Sequence, residues 1–310
     1  MKLYATLHNS RNMLYFCPQM TKILDGKALA LTLRSKVKEE VAVLREAGHR
    51  APHLAAILVG QDGASMTYVN SKEKDCQYVG FESSVYRLSA DTTEKDLLSK
   101  IEAINTDKNV DGLIVQLPVP KHIDATKITE SINPDIDVDG FHTLNVGKLT
   151  IDEDTYISAT PFGVIMLLEE YGIETRGKHC VVIGRSNIVG RPMSILMSQG
   201  GRDSTVTVCH RHTHDIREFT KTADIVIVAV GIPEFLKASM VKEGATIIDV
   251  GITRVDADNK RGYVLKGDVE YASVKEKCSA ITPVPGGVGP MTRYGLLHNT
   301  LKSYKKKLNL

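Results

Sequence analysis

Tyr68 and Lys72 stand four residues apart, so any helix containing them projects a phenol and an amine from one face. That pairing suits stacking on a flat ligand and moving a proton. Gln116 ends the apolar run DGLIVQL (111–117), and Pro118 and Pro120 stop the strand behind it, which leaves an amide at the mouth of a crevice. Asp135, Asp137 and Asp139 alternate in NPDIDVDG as if to hold a cation. An EF-hand, however, closes its twelve-residue loop on a bidentate glutamate, and the twelfth position counted from Asp135 is Val146. One carboxylate facing the cleft, with the others capping turns, is the better reading, and no metal is expected. Gly184-Arg185-Ser186-Asn187-Ile188-Val189-Gly190 sits between an apolar strand and a helix, where glycines let backbone amides approach a pyrophosphate. Ser186 replaces the second glycine of G-x-G-x-x-G and the last glycine is displaced by one, so this turn alone fits a ligand-free strand-to-helix connection equally well. Arg211 and His212 follow the next strand, where an acid would bind the ribose of NAD and a base the extra phosphate of NADP. With Arg185 beside it, Arg211 favours NADP over NAD. Pro283 to Pro290, PVPGGVGP, can bring backbone close to a flat ligand or serve as a hinge.

The elements that must carry these residues follow from periodicity. Leu29, Leu33, Val37, Val41 and Leu44 recur at three- and four-residue steps up to Gly48, an amphipathic helix. LAAILVG (54–60), a helix from about Ser65, FESSVYRL (81–88), a helix from about Thr93, and DGLIVQL form a βαβαβ run. Parallel strands with right-handed crossovers put ligands beyond the carboxyl ends, where Tyr68, Lys72 and Gln116 lie. The polar stretch 118–149 reads as a connector. Thr160 and Pro161 read as the N-cap and first residue of a helix. HCVVIG (179–184), STVTVCH (204–210), DIVIVAV (224–230) and ATIIDVGI (245–252), with helices in the gaps, make a Rossmann-like half, and a final helix begins near Met291. Its lysines Lys302, Lys305, Lys306 and Lys307 favour the negative helix end and read as a solvated last turn.

At 310 residues the chain exceeds one average domain, and 42% hydrophobic with 25% charged residues is ordinary for a globular protein. Lys plus Arg at 39 against Asp plus Glu at 37 leaves +2, too balanced to predict a nucleic-acid partner or a membrane surface. No apolar run approaches the roughly 18 residues of a membrane span. Five widely spaced cysteines, Cys17, Cys76, Cys180, Cys209 and Cys278, disfavour a disulfide framework or a zinc site and suit a reducing cytoplasm. Residues 1–19 lack a continuous apolar core and read as a disordered extension, not a secretory signal.

Together YVNSK (68–72), QLPVP (116–120), DVDGFH (137–142), TPFG (160–163), GRSNIVGRP (184–192), DVGI (249–252) and TPVPGGVGPMT (282–292) resemble the bifunctional methylenetetrahydrofolate dehydrogenase/cyclohydrolase family. The likeness runs from about Met20 to the C-terminus, with all seven motifs in the family's order. Tyr-x-x-x-Lys also occurs in short-chain dehydrogenases, but there it follows the glycine-rich turn, whereas here it precedes it by more than a hundred residues. The resemblance implies two α/β domains around a cleft: 20–145 plus 286–310 for folate and catalysis, 146–285 as a Rossmann-like NADP domain. It implies oxidation of 5,10-methylenetetrahydrofolate with NADP, then hydrolysis of the methenyl product to 10-formyltetrahydrofolate, in one site and in a homodimer built through the cofactor domain. By the same resemblance Lys72 handles the hydrolytic proton, Gln116 orients Lys72, Tyr68 stacks on the folate and Asp139 hydrogen-bonds the pterin. Pro285, Gly286 and Gly287 line the folate side, while Thr160, Gly184, Arg185, Ser186, Arg211 and Ile252 meet the cofactor. Arg211 stands where many bacterial relatives have serine, and QGGRDS (199–204) is longer than in short members, which is expected to alter the adenosine end of the pocket.

Overall fold

The structure, a computed structural model, describes residues 20–259 and 262–310; the leader read as an extension, and Cys17 with it, lie outside them. Among the described residues two parallel sheets are flanked by helices, as the alternation of short apolar runs and amphipathic stretches requires. The smaller sheet holds β2 (His53–Val59), β3 (Glu82–Leu88) and β4 (Gly112–Val115), in the order β3-β2-β4. Helix α1 (Gly26–Glu46) precedes it, and α2 (Gly63–Val79) and α3 (Glu94–Asn105) make its crossovers. Capping sets where these helices start: Asp25, Asp62 and Thr93 each accept a backbone N–H from the first turn.

The larger sheet contains β5 (His179–Ile183), β6 (Thr205–Cys209), β7 (Ile225–Val228), β8 (Thr246–Asp249) and β11 (Ala280–Ile281), and its far edge is β1 (Lys22–Ile23). The order β6-β5-β7-β8-β11-β1 reverses direction at β5, which places the ligand crevice between the carboxyl ends of β5 and β7. Strand β1 is a finding: the sequence reading puts this segment with the first block, yet its two residues pair with β11 in the second. A two-stranded hairpin, β9 (Thr253–Asp256) with β10 (Tyr263–Lys266), leaves the sheet after β8. Two residues are too few for periodicity to reveal β1 or β11.

Several sequence expectations need correction. The stretch 118–149 is not a bare connector: it carries α4 (Ala125–Ser131) and most of α5 (Thr143–Thr150), each capped by its preceding residue, Asp124 or His142. Helix α6 (Ala159–Glu170) is preceded by Ser158, so Thr160 is not its N-cap and Pro161 is its third residue. Helix α7 (Gly190–Ser198) fills the first gap of the Rossmann-like half, but the next two hold only the four-residue α8 (Arg217–Thr220) and a three-residue 3₁₀ turn at Ala238–Met240. In the second of these gaps Pro233 and the positive-φ Gly231 and Gly244 break the chain. After α9 (Tyr271–Lys275) the chain closes with α10 (Val288–Leu308), three residues earlier than the periodicity suggests.

Helix α10 binds the two halves. It crosses α6 where Gly295 lies so close that a Cβ would stand 2.7 Å from the Ala159 carbonyl oxygen, and Gly163 is equally tight against Met291. One apolar core therefore runs continuously from Leu29, Leu33 and Val37 of α1 through Met291 and Leu297 of α10 to Val182 of β5. The opposite faces of the sheets have separate cores, one around Val226 and Ile247, the other around Ile57 and Leu113. The terminal lysines are not simply solvated: Lys305 pairs with Glu40 at 2.7 Å, Lys306 with Asp135 at 2.9 Å and Lys302 with Asp154.

Candidate active site

Helix α2 leaves the carboxyl end of β2 and presents Tyr68, Lys72 and Asp75 at successive turns of one stripe. The Lys72 ammonium donates to Gln116 Oε1 at 3.2 Å. Gln116 follows β4 directly, and its Nε2 donates to the Leu117 carbonyl at 2.8 Å, so the amide is held with its oxygen toward the lysine. Asp139 completes the group. Burial raises its carboxyl above the ordinary range, the nearby Lys72 charge pulls it down, and Asp137 pushes it up. The three aspartates differ: Asp139 lies within reach of the Lys72 charge, Asp135 is exposed and paired with Lys306, and buried Asp137 holds the loop. Its carboxylate accepts from the His142 N–H at 2.8 Å and from Asn145 Nδ2 at 2.9 Å.

Tyr68 is half-buried, and desolvation raises its phenol while the charge of Arg293 opposes the rise. Arg293, from α10, pairs with Asp75 at 3.0 Å, and Arg34 of α1 pairs with the other oxygen of the same carboxylate. Sequence reading misses this triad, although Asp75 at the third position after Lys72 lies on the same stripe. Burial raises the Asp75 carboxyl and the two guanidinium groups lower it.

The loop after β11 brings Pro285, Gly286 and Gly287 to the amino end of α10. Gly286 has φ +113°, and its carbonyl accepts from the Lys27 N–H at 2.8 Å, fixing the loop on α1. Thr160 lies in the first turn of α6 with its hydroxyl 3.0 Å from that of Thr292 in α10. Ser158 has a role no motif announced: its hydroxyl donates to the Ile188 carbonyl at 2.7 Å and ties α6 to the glycine turn.

In that turn Gly184 has φ +123°, and a Cβ on it would stand 2.3 Å from the Ala229 carbonyl oxygen, so the loop after β7 lies directly against it. Ser186 Oγ accepts from the N–H groups of Val189 and Gly190 at 3.2 and 3.4 Å, which shapes the turn where the missing glycine would have stood. Ile183 of β5 and Cys209 of β6 are register partners, so Arg185 and Arg211, each two residues further on, emerge at the same level. Both are exposed, and among the described residues neither makes an ion pair. Arg211 Nε faces His212 Nε2 at 3.2 Å. Two unpaired guanidinium groups beside a glycine turn at the switch point fit the phosphates of a dinucleotide. Ile252, three residues past β8, is 43% exposed. Two residues later Arg254 donates to Thr67 Oγ1 at 3.3 Å, a link from the second half to the neighbour of Tyr68. The segment 199–204 enters β6 at its amino end, and the Asp203 carbonyl there accepts from the Gly177 N–H. That is the amino end of the strands, whereas the crevice lies at their carboxyl ends, so this segment does not reach the adenosine end as the sequence suggests.

Residues 24–139 match the description Tetrahydrofolate dehydrogenase/cyclohydrolase, catalytic domain, and residues 158–308 match the NAD(P)-binding domain of the same enzymes. The chain belongs to the tetrahydrofolate dehydrogenase/cyclohydrolase family. It is 58% identical over 289 residues to the bifunctional protein FolD of Flavobacterium johnsoniae, covering 92% of this chain and 98% of that one. The crystal structure of the Campylobacter jejuni bifunctional enzyme superposes with a TM-score of 0.88 at 46% identity, over 92% of this chain and 99% of the other. The Trypanosoma brucei enzyme, complexed with NADP cofactor and inhibitor, gives 0.90 at 36% identity, over 94% and 99%. As a family member the chain is a bifunctional enzyme of folate one-carbon chemistry. It dehydrogenates 5,10-methylenetetrahydrofolate and hydrolyses the 5,10-methenyl product to 10-formyltetrahydrofolate.

Proposed function

We propose that both reactions run in the cleft between Lys72 and the glycine turn, with NADP as the nucleotide. The observation that carries this reading is the Lys72–Gln116 hydrogen bond beside Asp139 at the carboxyl ends of the small sheet. Tyr68 stacks on the folate, Asp139 hydrogen-bonds the pterin, and Pro285, Gly286 and Gly287 line the far side of the ring. Gln116, its own amide fixed by Leu117, aims the lysine at the one-carbon bridge. Lys72 handles the proton shed when water attacks the methenyl carbon and returned when the carbon–nitrogen bond opens. NADP, when bound, supplies the hydride acceptor for the first reaction. The protein's share of that step is alignment: Gly184, Ser186, Thr160 and Ile252 position the nucleotide, while Arg185 and Arg211 bind the phosphate that NAD lacks.

The division into a folate domain of 20–145 plus 286–310 and a cofactor domain of 146–285 is supported by α10 docking back on the first half. Tyr304 Oη donates to the Arg50 carbonyl at 2.7 Å. A homodimer through the cofactor domain is supported by β6, which ends the six-stranded sheet and leaves Val208 38% exposed on an unpaired edge. Cytoplasmic residence is supported by four free, buried cysteines, Cys76, Cys180, Cys209 and Cys278; no described helix is long and apolar enough to cross a membrane.

Lys72→Met tests the assignment. Methenyltetrahydrofolate hydrolysis followed by loss of its absorbance should fall to the rate in buffer, while reduction of NADP by the methylene compound persists in part. Full hydrolysis by that variant refutes the role given to Lys72.

A further inference from the structure

Two buried carboxylates, Asp249 and Asp268, lie behind the crevice and outside every motif used above except the first residue of DVGI. Asp249 ends β8. Its Oδ1 accepts from the N–H groups of Gly251 at 3.0 Å and Asp268 at 2.9 Å, and its Oδ2 accepts from Val269 at 3.0 Å. Asp268 is fully buried, and its Oδ2 accepts from Val230 at 2.7 Å and Gly231 at 2.9 Å. Space around the pair is closed: a Cβ on Gly251 would stand 2.1 Å from Asp268 Cγ, and one on Gly267 1.9 Å from Asp249 Oδ2. The backbone reinforces the link, with Leu236 N–H donating to the Asp268 carbonyl and Glu234 N–H to that of Gly267.

The position of these bonds is what gives them a function. Val230 and Gly231 belong to the loop after β7, whose Ala229 carbonyl lies against Gly184 at the switch point. Gly251 belongs to the loop after β8, which ends at exposed Ile252. A buried carboxylate that accepts two or more N–H groups locks a loop more firmly than neutral acceptors do, because each bond is charge-assisted and water cannot replace it. We propose that Asp268, seated on Asp249, is a positioning residue for the nucleotide: it sets the loops after β7 and β8 against the glycine turn, and so governs NADP binding and hydride transfer without acting on hydrolysis. The inference rests on the nucleotide placement given under Proposed function. Hydrolysis needs the folate site, that is Lys72, Gln116, Tyr68, Asp139 and the loop of Pro285 to Gly287, whereas the bonds of Asp268 go to Val230, Gly231, Asp249 and Leu236, so the two activities separate a positioning role from a general loss of fold.

Asp268→Ala removes the Oδ2 that accepts both bonds, and Asp268→Asn keeps the size and one side-chain oxygen but not the charge. In Asp268→Ala the KM for NADP, and its Kd measured by titration calorimetry, should rise at least about tenfold, the scale of one lost charge-assisted bond. Asp268→Asn should fall between that variant and the wild type. Hydrolysis of methenyltetrahydrofolate without nucleotide should stay within about twofold of the wild-type rate in both. Unchanged NADP affinity in Asp268→Ala overturns the proposal, and so does a parallel fall of hydrolysis and NADP binding in both variants. If Asp268→Ala does not fold, Asp268→Asn is judged by the same two readouts. Wild-type protein that binds NAD and NADP equally would count against the reading of Arg185 and Arg211 instead; the effect of Asp268 is taken as a ratio to wild type with whichever nucleotide binds.

Discussion

Lys72 keeps its ammonium on one neutral acceptor, Gln116 Oε1, with the Asp139 carboxyl near enough to feel its charge. A long flexible amine is thereby held in one direction, the pre-organisation that the proton-handling role proposed for it requires. At the other end of the cleft Arg185 and Arg211 stand exposed without anionic partners among the described residues. Arg211→Ala should lower the ratio of kcat/KM for NADP over that for NAD by about tenfold, the value of one lost guanidinium–phosphate bond. Steady-state kinetics with the two nucleotides checks it, and an unchanged ratio would show that Arg185 alone reads the phosphate. Motif spacing makes both arginines visible in the chain. It does not reveal Arg293 and Arg34, because their partner, Asp75, joins residues from three helices far apart in sequence.

Among the elements, the loops after β7 and β8 show how burial of charge shapes a binding edge. Desolvation pushes the Asp249 carboxyl up to about 7, and neighbouring Asp268 adds to the rise although three backbone N–H groups pull it down. The native state therefore holds a proton that the unfolded chain, with a carboxyl near the ordinary 4, has already released. Stability from this group is complete below about pH 4 and declines as pH rises toward 7, by on the order of 4 kcal/mol in total. Thermal melts of wild type and Asp249→Asn should show the wild-type advantage shrinking between pH 5 and pH 8; an advantage that grows with pH contradicts the assignment. The glycine turn is an element of the same kind. Its sequence departs from the usual fingerprint, and Ser186 compensates by accepting from Val189 and Gly190 within the turn.

For the whole molecule α10 is decisive, since it is the segment on which both halves close. Asn299, fully within that helix and buried, donates both amide hydrogens: one to the Val138 carbonyl at 2.8 Å, the other to the Ile157 carbonyl at 2.8 Å. Val138 adjoins Asp139, and Ile157 leads into α6, so one side chain spans the loop that carries Asp139 and the entry to α6. Asn299→Ala leaves two buried carbonyls unpaired and should cost about 2–4 kcal/mol of unfolding free energy. A urea titration reads that loss, and a change below about 0.5 kcal/mol, typical of an exposed position, would contradict it. Periodicity shows the βαβαβ run and the Rossmann-like half, and local motifs at strand ends single out Tyr68, Lys72, Gln116 and the glycine turn, because each depends on residues near one another in the chain. Both miss β1 beside β11, the tie from Ser158 to the Ile188 carbonyl, the Arg34–Asp75–Arg293 triad and the Asp249–Asp268 pair. Those depend on contacts between distant segments, and the energy that selects them comes from burial and from paired polar groups, which exist only once those segments meet in the folded chain.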